Sequence, residues 1–280
     1  QDLLTLFNQS EYYALKYKNY FPIYEKLFSK FKGKKITFVE IGVLSGGSLF
    51  MWRKFFGDQA RIIGIELNPA AKRFEKDGFE IHIGNQSDEN FWKDFFQKVG
   101  EVDIILDDGG HTNFQQIVTT CSCVPFIKND GLLVVEDVFH SYGVSYGKKG
   151  FYNPSKYSFI NFCKKTIDDI NYRFPESKKF KFSLNKNVFS MEFFEAIVAF
   201  NVNRDLCSSE NEVLYTKGEN IDAKFYSHIH NENVPGSNKF VSKLKKILKF
   251  SRSDFKYIVF KINEYISKKY FKWNLRLQIN

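Results

Sequence analysis

The sequence predicts an α/β protein built on a parallel, doubly wound sheet. Three observations carry that expectation. Short apolar runs alternate with amphipathic helical stretches at least five times before residue 140. The first apolar run ends in a glycine turn that opens a helix. Acids recur at the ends of these runs: Glu40, Glu66, Asp107, Asp108, Glu136 and Asp137. In a sheet of this kind ligands bind outside the carboxyl ends of the strands. The acids therefore mark one edge of one sheet, whereas chance would scatter them over helices and loops.

Each element can be justified in order. Residues 1–35 read as a helical lead-in, with Tyr20, Ile23, Tyr24, Leu27, Phe28 and Phe31 at helical spacing. This lead-in is expected to pack on the sheet, with a lid over a ligand as the alternative. Residues 36–41 form a buried strand, and Gly46-Gly47 opens a helix carrying Leu49, Met51, Trp52, Phe55 and Phe56. Residues 61–66 and 80–84 are the next strands, and Ser87 or Asp88 is placed to cap the helix that follows. Residues 102–106 are a fourth strand, followed by a helix over about 114–127. Asn129-Asp130-Gly131 then turns into a fifth strand over 132–135. A Gly- and Tyr-rich stretch with His140, Tyr142 and Tyr146 reads as a substrate loop. A helix over about 155–170 and a hairpin over 188–202, turning at Glu195-Ala196, complete the unit.

Composition narrows the class. The 280 residues are 43% hydrophobic and 26% charged, which fits one or two globular domains with a sizeable core. The 32 Phe, with abundant Lys, Asn and Ile, are read as the codon bias of an AT-rich bacterial genome rather than as function. No apolar run approaches the roughly 18 residues of a membrane helix. The opening residues lack the basic and apolar regions of a signal peptide. Cys121, Cys123, Cys163 and Cys207 have no zinc spacing and are expected to be reduced thiols, so a cytoplasmic location is expected.

The glycine turn admits three cofactor readings. A dinucleotide fingerprint needs Gly-x-Gly-x-x-Gly. Here the spacing is Gly42-x-x-x-Gly46-Gly47, and Leu44 stands where the second glycine would let a pyrophosphate approach. A phosphate-binding P-loop needs Lys after the last glycine, and Ser48 follows instead. The first loop of an S-adenosylmethionine (SAM) methyltransferase, with an acid at the strand end and no phosphate to cradle, fits best. An ordinary strand-to-helix turn is the alternative. Glu66 lies about twenty residues past the turn, where such folds place a carboxylate for ribose hydroxyls. Asn85 or Gln86 is placed to read an adenine edge.

Asp108, Glu136 and Asp137 would bring three carboxylates together at neighbouring strand ends. Unpaired, they would repel and take up protons. A divalent cation with oxygen ligands, Mg²⁺ or Mn²⁺, resolves this. His111, three residues past Asp108, would take the proton of a substrate hydroxyl. Tight turns and helix caps are the structural alternatives for both acidic motifs.

The ordered motifs Glu-Ile-Gly-Val-x-x-Gly-Gly-Ser-x-x-Met-Trp, Ile-x-Gly-Ile-x-x-Asn-Pro, Gly-x-Gln-Ser-Asp, Asp-Asp-Gly-x-His and Val-Glu-Asp run from Glu40 to Asp137, within a resemblance that covers residues 12–202. They resemble the metal-dependent sugar O-methyltransferases of the macrocin and mycinamicin type, a pattern shared with proteins called cephalosporin hydroxylases. The resemblance implies a class I SAM-methyltransferase, Rossmann-like sheet ending in an antiparallel hairpin. It implies cofactor contacts at Glu40, Gly42, Glu66, Gln86 and Asp107, to which the turn adds Ser45 and Gly46 and the third strand end adds Asn85. It also implies metal ligation by Asp108, Glu136 and Asp137, with Asp108 and His111 as the catalytic pair. Three departures stand out: Asn85 and Glu66 where Asp is usual, and His140 where a smaller residue precedes Ser-Tyr.

Residues 36–204 are thus read as the catalytic domain and 205–280 as a polar linker and basic tail. Residues 239–280 carry ten Lys and two Arg against Asp254 and Glu264, a net charge of +10 against +9 for the whole chain. Two apolar faces run through the tail. Peripheral membrane contact is one reading; packing on the domain or on a second subunit is the other. Nucleic acid is not expected as a partner, since the basic residues are confined to the tail and the active face is acidic. The functional expectation is a SAM- and Mg²⁺-dependent O-methyltransferase for a sugar, presented as a nucleotide sugar or a capsular polysaccharide precursor. A natural-product O-methyltransferase, a non-catalytic scaffold and a dehydrogenase are the alternatives.

Overall fold

The computed structural model describes residues 2–143, 154–173 and 183–209, with isolated positions 212, 214 and 216–218. Tyr146 of the expected substrate loop and the whole basic tail lie outside the described residues. Seven strands form one sheet: β1 (Thr37–Ile41), β2 (Arg61–Glu66), β3 (Glu80–Ile83), β4 (Val102–Asp107), β5 (Ile127–Val135), β6 (Val188–Phe194) and β7 (Ile197–Val202). Their order is β3-β2-β1-β4-β5-β7-β6. The first five are parallel, and β7 runs antiparallel to both β5 and β6. The order in which successive strands are added reverses between β1 and β4, which opens a crevice at their carboxyl ends.

The apolar runs are continuous because both faces of the sheet are covered. Phe38, Ile62, Leu106 and Val134 face one core, with α2 (Tyr20–Phe28) and α3 (Gly47–Phe56). Val39, Ile63, Ile105 and Val135 face the other, with α4 (Glu89–Val99), α5 (Asn113–Cys123) and α6 (Phe159–Asn171). The first core is strongly aromatic: Tyr24, Phe28, Phe38, Trp52 and Phe56 are all fully buried.

Three boundaries differ from expectation. The lead-in is not helical throughout, since Gln9–Asn19 run as an irregular strap between α1 (Leu3–Asn8) and α2. Helix α5 stops at Cys123 and tightens into a single 3-10 turn, Val124–Phe126, where Pro125 has no N–H to continue the helical ladder. The Asn129-Asp130-Gly131 turn lies inside β5 as a bulge: Val102 pairs with Ile127, but Ile104 pairs with Leu132. No helix among the described residues is long and apolar enough to cross a membrane.

Candidate active site

A cleft of about 400 Å³ opens at the carboxyl ends of β1, β2 and β4. Its floor depends on Gly42, which has φ +90°; a Cβ there would lie 2.1 Å from the Asp108 carbonyl oxygen. The close approach of the β1 and β4 ends therefore requires glycine. Glu66, Asn85 and Gln86 line one end of the cleft, and Asp108, His111, Glu136 and Asp137 the other. The strap supplies a wall with Leu15, Lys16 and Tyr17.

The sequence-predicted cofactor residues divide. Gly42, Glu66, Asn85 and Gln86 line the cleft; Glu40, Ser45, Gly46 and Asp107 do not. The pleat explains Glu40. It follows Val39 and so faces the aromatic core, where it accepts hydrogen bonds from Ser48 Oγ (2.7 Å) and Trp52 Nε1 (3.0 Å). Burial raises its pKa. Asp107 is likewise buried and receives Gln86 Nε2 at 2.9 Å. Burial pushes its pKa up to about 6. It thus holds Gln86, whose Oε1 accepts from Gly110 N at 2.7 Å. Glu66 is committed to backbone: one oxygen accepts from Val43 N and Leu44 N, both at 3.0 Å, and the other from Leu67 N (2.9 Å) and Asn68 N (3.1 Å). These four amides match the roughly four lone-pair sites of a carboxylate. A ribose hydroxyl would share or replace one of them.

At the other end, ligand atoms of Asp108, His111 and Asp137 all lie within 4.8 Å of one another. His111 Nε2 is 3.4 Å from Asp137 Oδ2 and 3.9 Å from Asp108 Oδ1. His111 and Asp137 both adopt the left-handed backbone region, with φ of 54° and 56°. Strain of this sort persists where the surroundings fix a side chain's direction. Tyr20 donates a hydrogen bond to Asp137 and helps fix that carboxylate. Burial lowers the pKa of His111, against the pull of Asp137 and Asp108, so the ring is held neutral and able to accept a proton. His140 stacks on it, and Tyr142 closes the same short turn, Val138–Tyr142.

Glu136 stands apart from this group. Its side chain turns inward, 1% exposed, and accepts from Tyr24 OH at 2.5 Å and Lys16 Nζ at 3.1 Å. Of the three expected metal carboxylates, Asp108 and Asp137 gather with His111, while Glu136 lies with Tyr24 and with Lys16, whose ammonium also pairs with Asp108. Burial, then the nearby Asp108, raises the pKa of Glu136. Lys16, Tyr20 and Tyr24 were missed from sequence. Helical spacing marks both tyrosines as core, and nothing local separates Lys16 from the other basic residues.

The strand order, the reversal between β1 and β4 and the cleft above it define a class I SAM-methyltransferase fold. Residues 39–138 match the family described as a methyltransferase domain. Among its relatives, the 8-demethyl-8-(2-methoxy-alpha-L-rhamnosyl)-tetracenomycin-C 3'-O-methyltransferase of Streptomyces olivaceus is 29% identical over 158 residues, 54% of this chain and 40% of that protein. The mycinamicin VI 2''-O-methyltransferase of Micromonospora griseorubida is 27% identical over 161 residues, 54% of this chain and 39% of that protein. The chain therefore spans less than half the length of these relatives. The MycE methyltransferase of mycinamycin biosynthesis, solved with Mg, SAH and mycinamycin VI, superposes with a TM-score of 0.63 at 23% identity, over 73% of this chain and 54% of that one. The sugar O-methyltransferase resemblance read from the motifs is thus met among the relatives.

Proposed function

We propose that the chain is a SAM- and Mg²⁺-dependent O-methyltransferase acting on a sugar hydroxyl. The observation that carries this is the convergence of Asp108, His111 and Asp137 in the cleft whose far end holds Glu66, Asn85 and Gln86. Two carboxylates and an imidazole within 4.8 Å suit a divalent cation. Asp108 and Asp137 would hold it, with Glu136 behind them. Bound there, such an ion supplies Lewis acidity that lowers the pKa of an acceptor hydroxyl.

The remaining chemistry belongs to the chain. His111, kept neutral by burial, accepts the hydroxyl proton. Tyr20 steadies Asp137, and the His140 ring steadies His111. The strap excludes water from one side of the cleft. Methyl transfer is an in-line displacement, so a fixed angle between donor and acceptor is much of the catalysis.

The named relatives act on sugars carried by small glycosylated molecules, which supports that class of acceptor. A surface-polysaccharide acceptor, expected from the basic tail, has no support among them. A cytoplasmic location follows if the donor is cellular SAM. The test is turnover with SAM and Mg²⁺ across glycosides, nucleotide sugars and polysaccharide precursors, read as a methyl mass gain on one acceptor. Methylation of a non-sugar hydroxyl in preference to every sugar would overturn the acceptor assignment.

A further inference from the structure

Lys16 is the unexplained residue of the cleft. Its side chain is 2% exposed. Its ammonium lies 2.6 Å from Asp108 Oδ2, 3.1 and 3.2 Å from the two oxygens of Glu136, and 3.7 Å from Glu40 Oε1. It also sits 5.8 Å from the centre of the Tyr24 ring. An ammonium has three donors, and three carboxylates surround this one. Burying such a charge costs several kcal/mol unless it is paired, so the place is built for a cation.

The strap delivers Lys16 by alternation. Tyr13, Leu15 and Tyr17 are 63%, 51% and 46% exposed, whereas Tyr12 stacks on Phe50 and Lys16 enters the cleft. The strap is pinned upstream, where Ser10 Oγ donates to Gly47 O (2.9 Å) and Gly47 N donates to Tyr13 O (3.3 Å). Asp108 is the hinge of the charge arrangement. Its Oδ2 faces Lys16, and its Oδ1 faces His111 and the group shared with Asp137.

We propose that Lys16 is the internal counter-ion of the cleft, a positioning residue that shares the Asp108 carboxylate with the divalent cation and so sets how tightly the cleft takes metal. This rests on the metal part of the function proposed above. Lys16 pairs with Glu136 and Glu40 behind the site, and its ammonium on Oδ2 offsets negative charge on Asp108. Metal affinity is thereby held down.

The test is Mn²⁺ binding to the 280-residue chain at pH 8, read by the electron paramagnetic resonance signal of free Mn²⁺. Lys16→Met removes a charge beside the dication and should tighten binding roughly tenfold or more. If that variant does not fold, Lys16→Met/Glu136→Gln removes both charges of the buried pair together. It should bind Mn²⁺ more tightly than Glu136→Gln alone, in which Lys16 still draws on Asp108. Unchanged or weaker binding after loss of Lys16, with the parent protein binding Mn²⁺, overturns the inference and leaves the metal reading standing. Failure of every form to bind Mn²⁺ overturns both.

Discussion

The rings of His111 and His140 stack with centroids 5.5 Å apart and planes within 6° of parallel. His140 is in turn stacked on Phe139, with ring centroids 4.7 Å apart. The departure from the family pattern noted at residue 140 is therefore not a remote difference. It forms one side of the imidazole that faces Asp108 and Asp137. Because the stack meets His111 ring to ring, shape should matter more than charge. His140→Phe is expected to keep kcat within a few-fold, while His140→Ala loses about tenfold through a misplaced His111. Steady-state kinetics of the two variants check this.

His111 stands both among possible metal ligands and in place of a base. The account assigns it the base role. His111→Ala should lower kcat by about 10² to 10⁴, while Mn²⁺ affinity stays within a few-fold. Loss of Mn²⁺ binding in parallel with activity would make His111 a ligand instead. Calorimetric titration beside the rate assay separates the two.

Gly42→Ala should be severe. The added Cβ would meet the Asp108 carbonyl oxygen at 2.1 Å in a backbone conformation that disfavours side chains. A loss of about 2–4 kcal/mol is expected, along with loss of SAM binding, since the β1 and β4 ends floor the cleft. Urea unfolding and SAM titration measure both. Gly33→Ala, where φ is +70° but no atom lies within 4 Å of the added Cβ, is the control for backbone strain alone.

Away from the site, Glu80 gives a pH-dependent prediction. Burial alone would raise its pKa, but hydrogen bonds from His82 and Arg61 and the guanidinium charge hold it below its ordinary 4.5. The unfolded chain therefore binds more protons in that window, and stability rises with pH through it. The contribution is fully present above pH 4.5 and is lost as pH falls through the lowered folded value. Glu80→Gln should cost up to about 1 kcal/mol at pH 7, as befits a partly exposed pair. Thermal melts of the parent and the variant should converge once the pH falls below the lowered folded value.

Much of this was legible in the sequence, for physical reasons. Strand β2, Arg61–Glu66, falls where the apolar run predicted it, because a strand buried on both faces has no polar interruption. The acids at strand ends mark the cleft edge because the parallel topology gathers those ends. The pleat decides which of them face ligand, and that depends on register. Glu40, one residue from the turn, faces the aromatic core and not the cleft. The bulge in β5 was hidden because Asn-Asp-Gly reads as a turn whether or not a neighbouring strand continues past it. Lys16 was invisible for a further reason. It lies in an irregular strap with no periodic signal, and its three carboxylate partners are 24, 92 and 120 residues away in sequence.

The most direct test of the central claim is the metal dependence of methyl transfer. The protein is incubated with SAM and the sugar acceptor found by the panel, and S-adenosylhomocysteine is followed before and after EDTA, then after Mg²⁺ is restored. The account predicts turnover that EDTA abolishes and Mg²⁺ recovers, with Asp108→Asn inactive throughout. Turnover that continues in EDTA, or an active Asp108→Asn variant, would contradict it.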